Sequence, residues 1–420
     1  MEFQLTPDQQ GALEKICTFL SDPSETAFII EGYSGTGKST LVKTFLDQLP
    51  DMQKTLRLIN PAYRILDVEL TATTHKAAEN FSMITGLPVT TIHSFLGLRV
   101  STDHMTGDSQ LVVSNNSAGP ISDQIILIDE ASYIDGQLLT LIFKRITRCK
   151  VIFIGDPAQL VNYKIGKAPV FVAPFPKAKL EKVVRQVSEE DQPLHPITEL
   201  SAKFRHAVNT GEWFAFTPDD YHIRHVPRDV FVSEVLTEFS RPDWGHRDSK
   251  VLAWTNRRVI DYNHLVNDQV KGSTNFQVGE YAICNKFVTR GRDSIKTDQR
   301  VFITSISGSK ERHGVLGRTM TLDHTKSFFY PDSMEAKCTR LKMARELCEY
   351  AVAREIEESW IDLRYEFAQT VDKSQGSTYD RVFIDLDDIK KCNSGNQIAR
   401  MLYVGVSRAR HHVVFTGDLV

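Results

Sequence analysis

An α/β fold built on parallel sheets is the architecture this sequence predicts, and three observations predict it. Short runs apolar on both faces recur along the chain: AFIIEG from Ala27, IILIDE from Ile125, VIFIGD from Val151, VLAWTN from Val251, RVFIDL from Arg381 and HVVFTG from His412. Strands buried on both sides read as unbroken apolar runs, whereas half-exposed strands alternate. Helical stretches separate them, as in Lys38 to Leu49, Lys76 to Ile84, Gly136 to Ile146 and Arg257 to Val270. Strand–helix alternation is the pattern of a sheet with crossover helices. Three runs lie before residue 160 and three after residue 250, so two sheets are expected.

The first run passes straight into Gly32-x-x-x-x-Gly37-Lys38-Ser39 and then a helix. Three glycines (Gly32, Gly35, Gly37) let successive amides turn toward one anion, Lys38 can reach the outer phosphates, and Ser39 can hold magnesium. This implies a nucleoside triphosphate. About 90 residues on, Leu127-Ile128-Asp129-Glu130 ends another run: Asp129 suits magnesium through water, and Glu130 suits the general base for an attacking water. The third strand end is Gly155-Asp156-Pro157-Ala158-Gln159-Leu160, where the Gln159 amide can donate to a γ-phosphate and accept from the water.

Two segments depart from the alternation. Leu96 to Ser122 reads as two strands around a Thr-Gly-Asp turn, a hairpin inserted in the first sheet domain. Phe276 to Tyr330 breaks into strand-like pieces (GEYAICNKFV, QRVFITSI, RTMTLDH) that suggest a small β-barrel. Beyond it, Leu341, Ala344, Cys348, Val352, Ile356, Trp360 and Leu363 recur at spacings of three and four, which predicts one long amphipathic helix or a close pair over Met334 to Leu363.

Composition bounds the rest. At 420 residues, two or three domains are expected, and 41% hydrophobic with 25% charged residues is an ordinary globular balance. Fifty Lys plus Arg against 53 Asp plus Glu, net −3, gives no global basic signature, so a nucleic-acid partner needs a local groove. No apolar run reaches the roughly 18 residues of a membrane span, and MEFQLTPDQQ lacks the regions of a secretion signal, so no membrane partner is expected. Six cysteines without CxxC pairs indicate neither a zinc site nor a disulfide framework.

Strand-end loops also carry small or polar donors of the kind that grip phosphates and sugars: Thr74, His75, Thr91, His93, Thr255, Asn256, Lys373, Ser374 and Gln375. Trp254, Phe95 and Phe287 are candidate stacking platforms, with core packing the alternative for each.

The order of these motifs resembles the superfamily one helicases of the Pif1 and RecD branch. GDPAQL follows DEAS at about the family's separation, and TATTHKAAE ending at Glu79, TTIHSFL from Thr90, TVDKSQGST from Thr370 and LYVGVSRAR from Leu402 sharpen the likeness. It spans nearly the whole chain and is weakest from about 276 to 365. The resemblance implies two RecA-like motor domains, at 1–95 with 122–185 and at 186–272 with 366–420. It implies a pin hairpin inserted in the first at 96–121, and an SH3-like barrel with a helical insertion in the second at 273–365.

It also implies ATP and Mg2+. Gln9 would read adenine, Gly35, Thr36, Gly37, Lys38, Ser39, Thr40 and Gly376 would cradle the nucleotide, and Arg185 and Arg408 would reach the γ-phosphate. The family more often carries histidine where this chain has Asp372. An acid there would repel phosphate, so Asp372 is expected to pair with a neighbouring lysine or arginine.

The implied activity is ATP-dependent DNA unwinding by a motor, expected as a monomer, moving 5′ to 3′ on single-stranded DNA at forks or tailed duplexes. The resemblance further suggests phage replication or recombination, with phage single-strand-binding and recombination proteins as candidate partners, and the cytoplasm, of the host if phage-encoded, as the location. The alternatives are a translocase or recombination ATPase without strand separation, a small-molecule P-loop kinase, which would need only the first sheet, and a binding module with a relic loop.

Overall fold

Alternate residues of each apolar run become the two faces of a sheet. In a computed structural model, which describes residues 5–102, 109–114, 119–160, 168–182, 195–273 and 275–419, six strands pair in parallel. Their order is Lys177–Leu180, Ala27–Gly32, Lys150–Gly155, Gln124–Asp129, Asp67–Ala72 and Thr90–Thr91. Ile125, Leu127, Ile152 and Ile154 cluster with Ile16, Leu41, Phe45 and Phe81 from helices, while Ile126, Ile128, Val151 and Phe153 cluster with Ile92, Leu138 and Ile142. Full burial of each such side chain contributes about 1.5–3 kcal/mol, so both faces stay covered. With every strand running the same way, the carboxyl ends share one edge, and the loops after Gly32, Ala72, Asp129 and Gly155 all leave from it.

The described residues divide into two compact units. One is drawn from Met1–Ser101, Gln110–Thr217 and Ser394–Ser407, the other from Thr102–Ser109, Pro218–Asn393 and Arg408–Val420. The second unit holds a five-stranded parallel sheet ordered Ile223–His225, Ala409–Thr416, Tyr379–Asp385, Ser249–Ala253 and Ala368–Thr370. Its core of Phe231, Val251, Tyr262 and Phe383 continues into Ala282, Val301, Ile303 and Met320 of a second, antiparallel sheet. That sheet runs Lys310–Arg312, Val315–Leu322, Arg300–Ile306, Tyr281–Cys284 and Leu363–Arg364, with Lys326–Pro331 also on Val315–Leu322. These pairings occupy the stretch read as a small barrel.

Three elements refine the sequence reading. The helix expected over Lys38 to Leu49 runs to Ile59, through Pro50. Its extension is fixed from outside, since Gln53 donates to Leu66 O at 3.0 Å and accepts from Leu66 N at 2.7 Å. The amphipathic stretch is a close pair, Met334–Glu346 and Tyr350–Ser359, broken where Cys348 takes φ 58°. The hairpin forms from Leu98–Thr102 and Ser109–Val113, and its turn, with Gly107, lies outside the described residues. Among the described residues no helix is long and apolar enough to cross a membrane.

Candidate functional site

Backbone geometry shapes the phosphate loop. Gly35 and Gly37 have φ of 84° and 76°, a region that favours glycine, and a Cβ on Gly32 would meet Thr36 Oγ1 at 2.7 Å. The Lys38 ammonium folds back to donate to Gly32 O at 2.5 Å and Tyr33 O at 3.0 Å. Thr36 is buried and donates to Tyr33 O at 2.9 Å. Ser39 and Thr40 open the helix that begins at Lys38. Gln9, buried in the first helix, donates to Thr36 O at 3.2 Å and Gly37 O at 3.3 Å, while its Oε1 accepts from Thr6 N at 3.0 Å. Gln9 therefore underpins the loop, and both ends of its amide are engaged within the protein.

Asp129 and Glu130 stand at the next strand end but one. Burial pushes the Asp129 carboxyl above its ordinary value, and the Glu130 amide and Lys38 pull it back. Hard oxygen donors at Ser39 and Asp129, with a carboxylate short of compensating charge, fit a divalent cation such as Mg2+. Glu130 adopts φ 54°, ψ 46°, a left-handed conformation that strains a non-glycine residue. Thr73 in the neighbouring loop holds it there, its hydroxyl donating to Glu130 O at 3.1 Å and its amide to Asp129 O at 3.2 Å.

The GDPAQL loop is held more tightly than its sequence suggests. A Cβ on Gly155 would meet Phe171 Cζ at 2.9 Å, which explains a glycine there. Fully buried Asp156 accepts from Ala158 N at 2.9 Å and from the Tyr403 hydroxyl at 2.5 Å. Tyr403 in turn accepts from the phosphate-loop amide of Ser34 at 3.0 Å. Gln159 is buried, and Arg400 donates to its carbonyl at 2.6 Å. Both Arg400 and Tyr403 lie on the helix Gly395–Ser407, which groups with the first unit.

The strand-end donors are brought to helix starts. Thr74 caps His75–Thr85 by accepting from Ala77 N at 3.2 Å, and Thr91 caps Ile92–Phe95 by accepting from Ser94 N at 3.2 Å. Burial holds His93 below the ordinary imidazole range, against the pull of Asp135 and with a push from His75. Phe95 packs against the sheet core.

In the second unit Thr255 caps the helix Asn256–Lys271, and its hydroxyl donates to Asp388 at 2.9 Å. Lys373 donates to Asn285 Oδ1 and Asp298 Oδ1, both at 2.7 Å. Ser374 is buried, donating to Val371 O at 2.6 Å, Gln375 is buried beside it, and Gly376 turns with φ 74°. Arg408, also buried, donates to Ser377 O at 3.3 Å. Trp254 is half-buried with its amide on Asp388 at 2.9 Å, and Phe287 is exposed.

The Asp372 carboxyl moves up from its ordinary value through desolvation. Arg185 lies outside the described residues. The sequence reading also passed over Asp156, Arg400, Tyr403 and Asp388. Asp156 and Tyr403 sit inside motifs already singled out, whereas Arg400 and Asp388 carry no local signal.

A parallel sheet whose carboxyl edge gathers a phosphate loop, a strand-end Asp–Glu pair and a buried Gln159 loop defines a P-loop nucleoside-triphosphatase core of the RecA-like kind. Residues 4–210 match the AAA domain family, and residues 366–416 match the UvrD-like helicase C-terminal domain family. The chain is 22% identical to the ATP-dependent DNA helicase dda of Enterobacteria phage T4 across 98% of this chain and 99% of that one. It is 28% identical to the ATP-dependent RecD2 DNA helicase of Deinococcus radiodurans across 38% of this chain and 20% of that one. A Pif1 helicase solved in a study of DNA unwinding at forked duplex DNA superposes with a TM-score of 0.52 at 15% identity, covering 100% of this chain and 93% of that one. The chain is therefore similar to the superfamily one helicases of the Pif1 kind and, over nearly its whole length, to the Dda helicase.

Proposed function

We propose that this chain is an ATP-dependent DNA helicase that moves along single-stranded DNA, 5′ to 3′, and opens duplex at forks or tailed ends. One observation carries the reading: Lys38, Asp129, Glu130 and Gln159 leave a single sheet edge in a chain that is similar over 98% of its length to an ATP-dependent DNA helicase. In the proposed cycle the Lys38 ammonium leaves the carbonyls of Gly32 and Tyr33 for the outer phosphates of ATP. Glu130, fixed by Thr73, takes the proton of the attacking water, and Gln159 orients that water. Mg2+ at Ser39 and Asp129 would supply positive charge to the phosphate oxygens. Arg185 and Arg408 would sense the terminal phosphate. The Thr74–His75, Thr91–His93, Thr255–Asn256 and Lys373–Gln375 loops would supply the contacts to DNA. Breaking one base-pair step costs about 1.4 kcal/mol in stacking, well within one hydrolysis event.

Replication or recombination of a phage genome is the proposed setting, with the chain acting as a monomer. ATPase measured with and without single-stranded DNA, beside unwinding of a forked duplex, tests the reading. Stimulated hydrolysis with unwinding supports it. Stimulated hydrolysis without unwinding favours a translocase, and hydrolysis indifferent to DNA overturns it.

A further inference from the structure

Resting on that ATPase reading, we propose that Tyr403 is a positioning residue for the nucleotide site, its hydroxyl clamping the phosphate loop to the Gln159 loop while Arg400 fixes the Gln159 backbone. The Tyr403 oxygen accepts the Ser34 amide at 3.0 Å, and its proton goes to Asp156 Oδ2 at 2.5 Å. Asp156 is anchored by its other oxygen, which accepts from Ala158 N at 2.9 Å. One hydroxyl thus joins the loop that grips phosphate to the loop that carries Gln159. Arg400 lies three residues earlier, on the same helical face. It donates to Pro157 O at 2.8 Å and Gln159 O at 2.6 Å, with its Nε on Asn396 at 2.8 Å.

The helix bearing both residues is itself tied down, because Asn396 donates to Val208 O at 2.8 Å on the helix Pro196–Thr210. From that same helix Arg205 stacks over the Tyr33 ring at 3.8 Å, steadying the phosphate loop a second time. Asp156 and Tyr403 are almost wholly buried, so water is poorly placed to replace the hydroxyl once it is gone. Burial beside Asp156 also keeps the Tyr403 proton on, which the donation to Asp156 requires. The same helix ends at Ser407, and Arg408 follows directly in the chain.

The clamp predicts an effect on turnover rather than on ATP binding. Phosphates are held by the loop's own amides and Lys38, whereas the distance from Gln159 to those phosphates matters when water attacks. Tyr403→Phe keeps the ring and should lower DNA-stimulated kcat by about 10- to 100-fold with KM for ATP within about threefold. In a Gln159→Ala background the same change should add less than about twofold, because both act on one step. A merely structural role would multiply the two losses. A kcat within twofold of the parent, or full multiplication in the double variant, overturns the inference. Should Tyr403→Phe fail to fold by circular dichroism, Asp156→Asn replaces it in the same cycle, with the same non-additivity expected and full multiplication overturning. A parent protein without DNA-stimulated ATPase removes the functional reading and this inference together. An active parent with a normal Tyr403→Phe removes this inference alone.

Discussion

Replacing Asp388 offers a quantitative test of how the second sheet shapes its strand-end loop. Asp388 is fully buried, and its Oδ2 accepts from Trp254 N at 2.9 Å and Thr255 N at 2.7 Å, while Oδ1 accepts from the Thr255 hydroxyl at 2.9 Å and from Lys391 at 2.8 Å. Asp388→Ala leaves two amides and a hydroxyl without that acceptor. Each buried orphan costs about 1–3 kcal/mol, and the hydroxyl can rotate, so a loss of about 3 kcal/mol follows. Asp388→Asn should be milder. Its oxygen can keep the position that serves both amides, its NH2 then faces Lys391, which is 57% exposed, and the loss is about 1 kcal/mol. At about 2–4 °C per kcal/mol for a unit of this size, Ala should lower the melting temperature by about 6–12 °C and Asn by about 2–4 °C. Three of the four tryptophans, Trp244, Trp254 and Trp360, belong to the second unit, so a fluorescence melt reports mainly there. An Ala variant melting with the parent, or an Asn variant as damaged as Ala, would refute the assignment of Asp388 as the acceptor that shapes this loop.

The next four predictions concern the first unit. Lys38→Ala should reduce ATP hydrolysis by at least about 10²-fold while single-strand affinity in a fluorescence titration changes little, and strong residual turnover would remove the phosphate-loop assignment. Glu130→Gln should still bind ATP but turn over about 10²–10⁴-fold more slowly, and normal turnover would place the base elsewhere. The Asp129 carboxyl is raised by burial, so its charge costs stability at neutral pH and Asp129→Asn should melt higher while losing Mg2+-dependent hydrolysis; a lower melting temperature contradicts this. His93 is depressed by burial, so the unfolded chain takes up its proton first. That contribution to stability is present above the unfolded value near 6.5 and is lost as pH falls through the lower folded value. Melts at pH 7.5 and 5 should therefore differ more for the parent than for His93→Gln, and equal differences refute the point.

Periodicity and strand-end chemistry made the first sheet legible. Ile125 to Ile128 are buried on alternating faces, and that continuous run both signalled a parallel strand and delivered Asp129 to the carboxyl edge. Helix limits were less legible where tertiary contacts decide them: Pro50 argues for a stop, but Gln53 bonded to Leu66 carries the helix past it. The clamp residues were illegible for the same reason. Ser34 and Tyr403 lie 369 positions apart, and their bond depends on the helix before Arg408 packing on the helix Pro196–Thr210 within the first unit. The strain at Glu130 was hidden as well, since nothing in LIDE distinguishes a left-handed Glu130 from an extended one.

The threonines of the strand-end loops share a second task, capping the helices that follow them. Thr74, Thr91, Thr255 and Thr370 each accept the amide three residues on, so four loops across two sheets end in the same cap. A hydroxyl has one proton to give. Thr255 gives it to Asp388 and Thr91 to Ser94, so neither retains a proton for a phosphate in this conformation. A phosphate drawn to the loop at Thr255 would instead meet the first amides of the sixteen-residue helix Asn256–Lys271, whose N-terminal partial charge favours an anion. Thr255→Ser keeps both cap and proton and should leave single-strand affinity intact. Thr255→Val keeps the shape but loses the cap, and it should weaken that affinity together with stability. Were Val to weaken DNA binding while the melting curve stayed unchanged, the hydroxyl itself would be the contact and the argument from capping would fail.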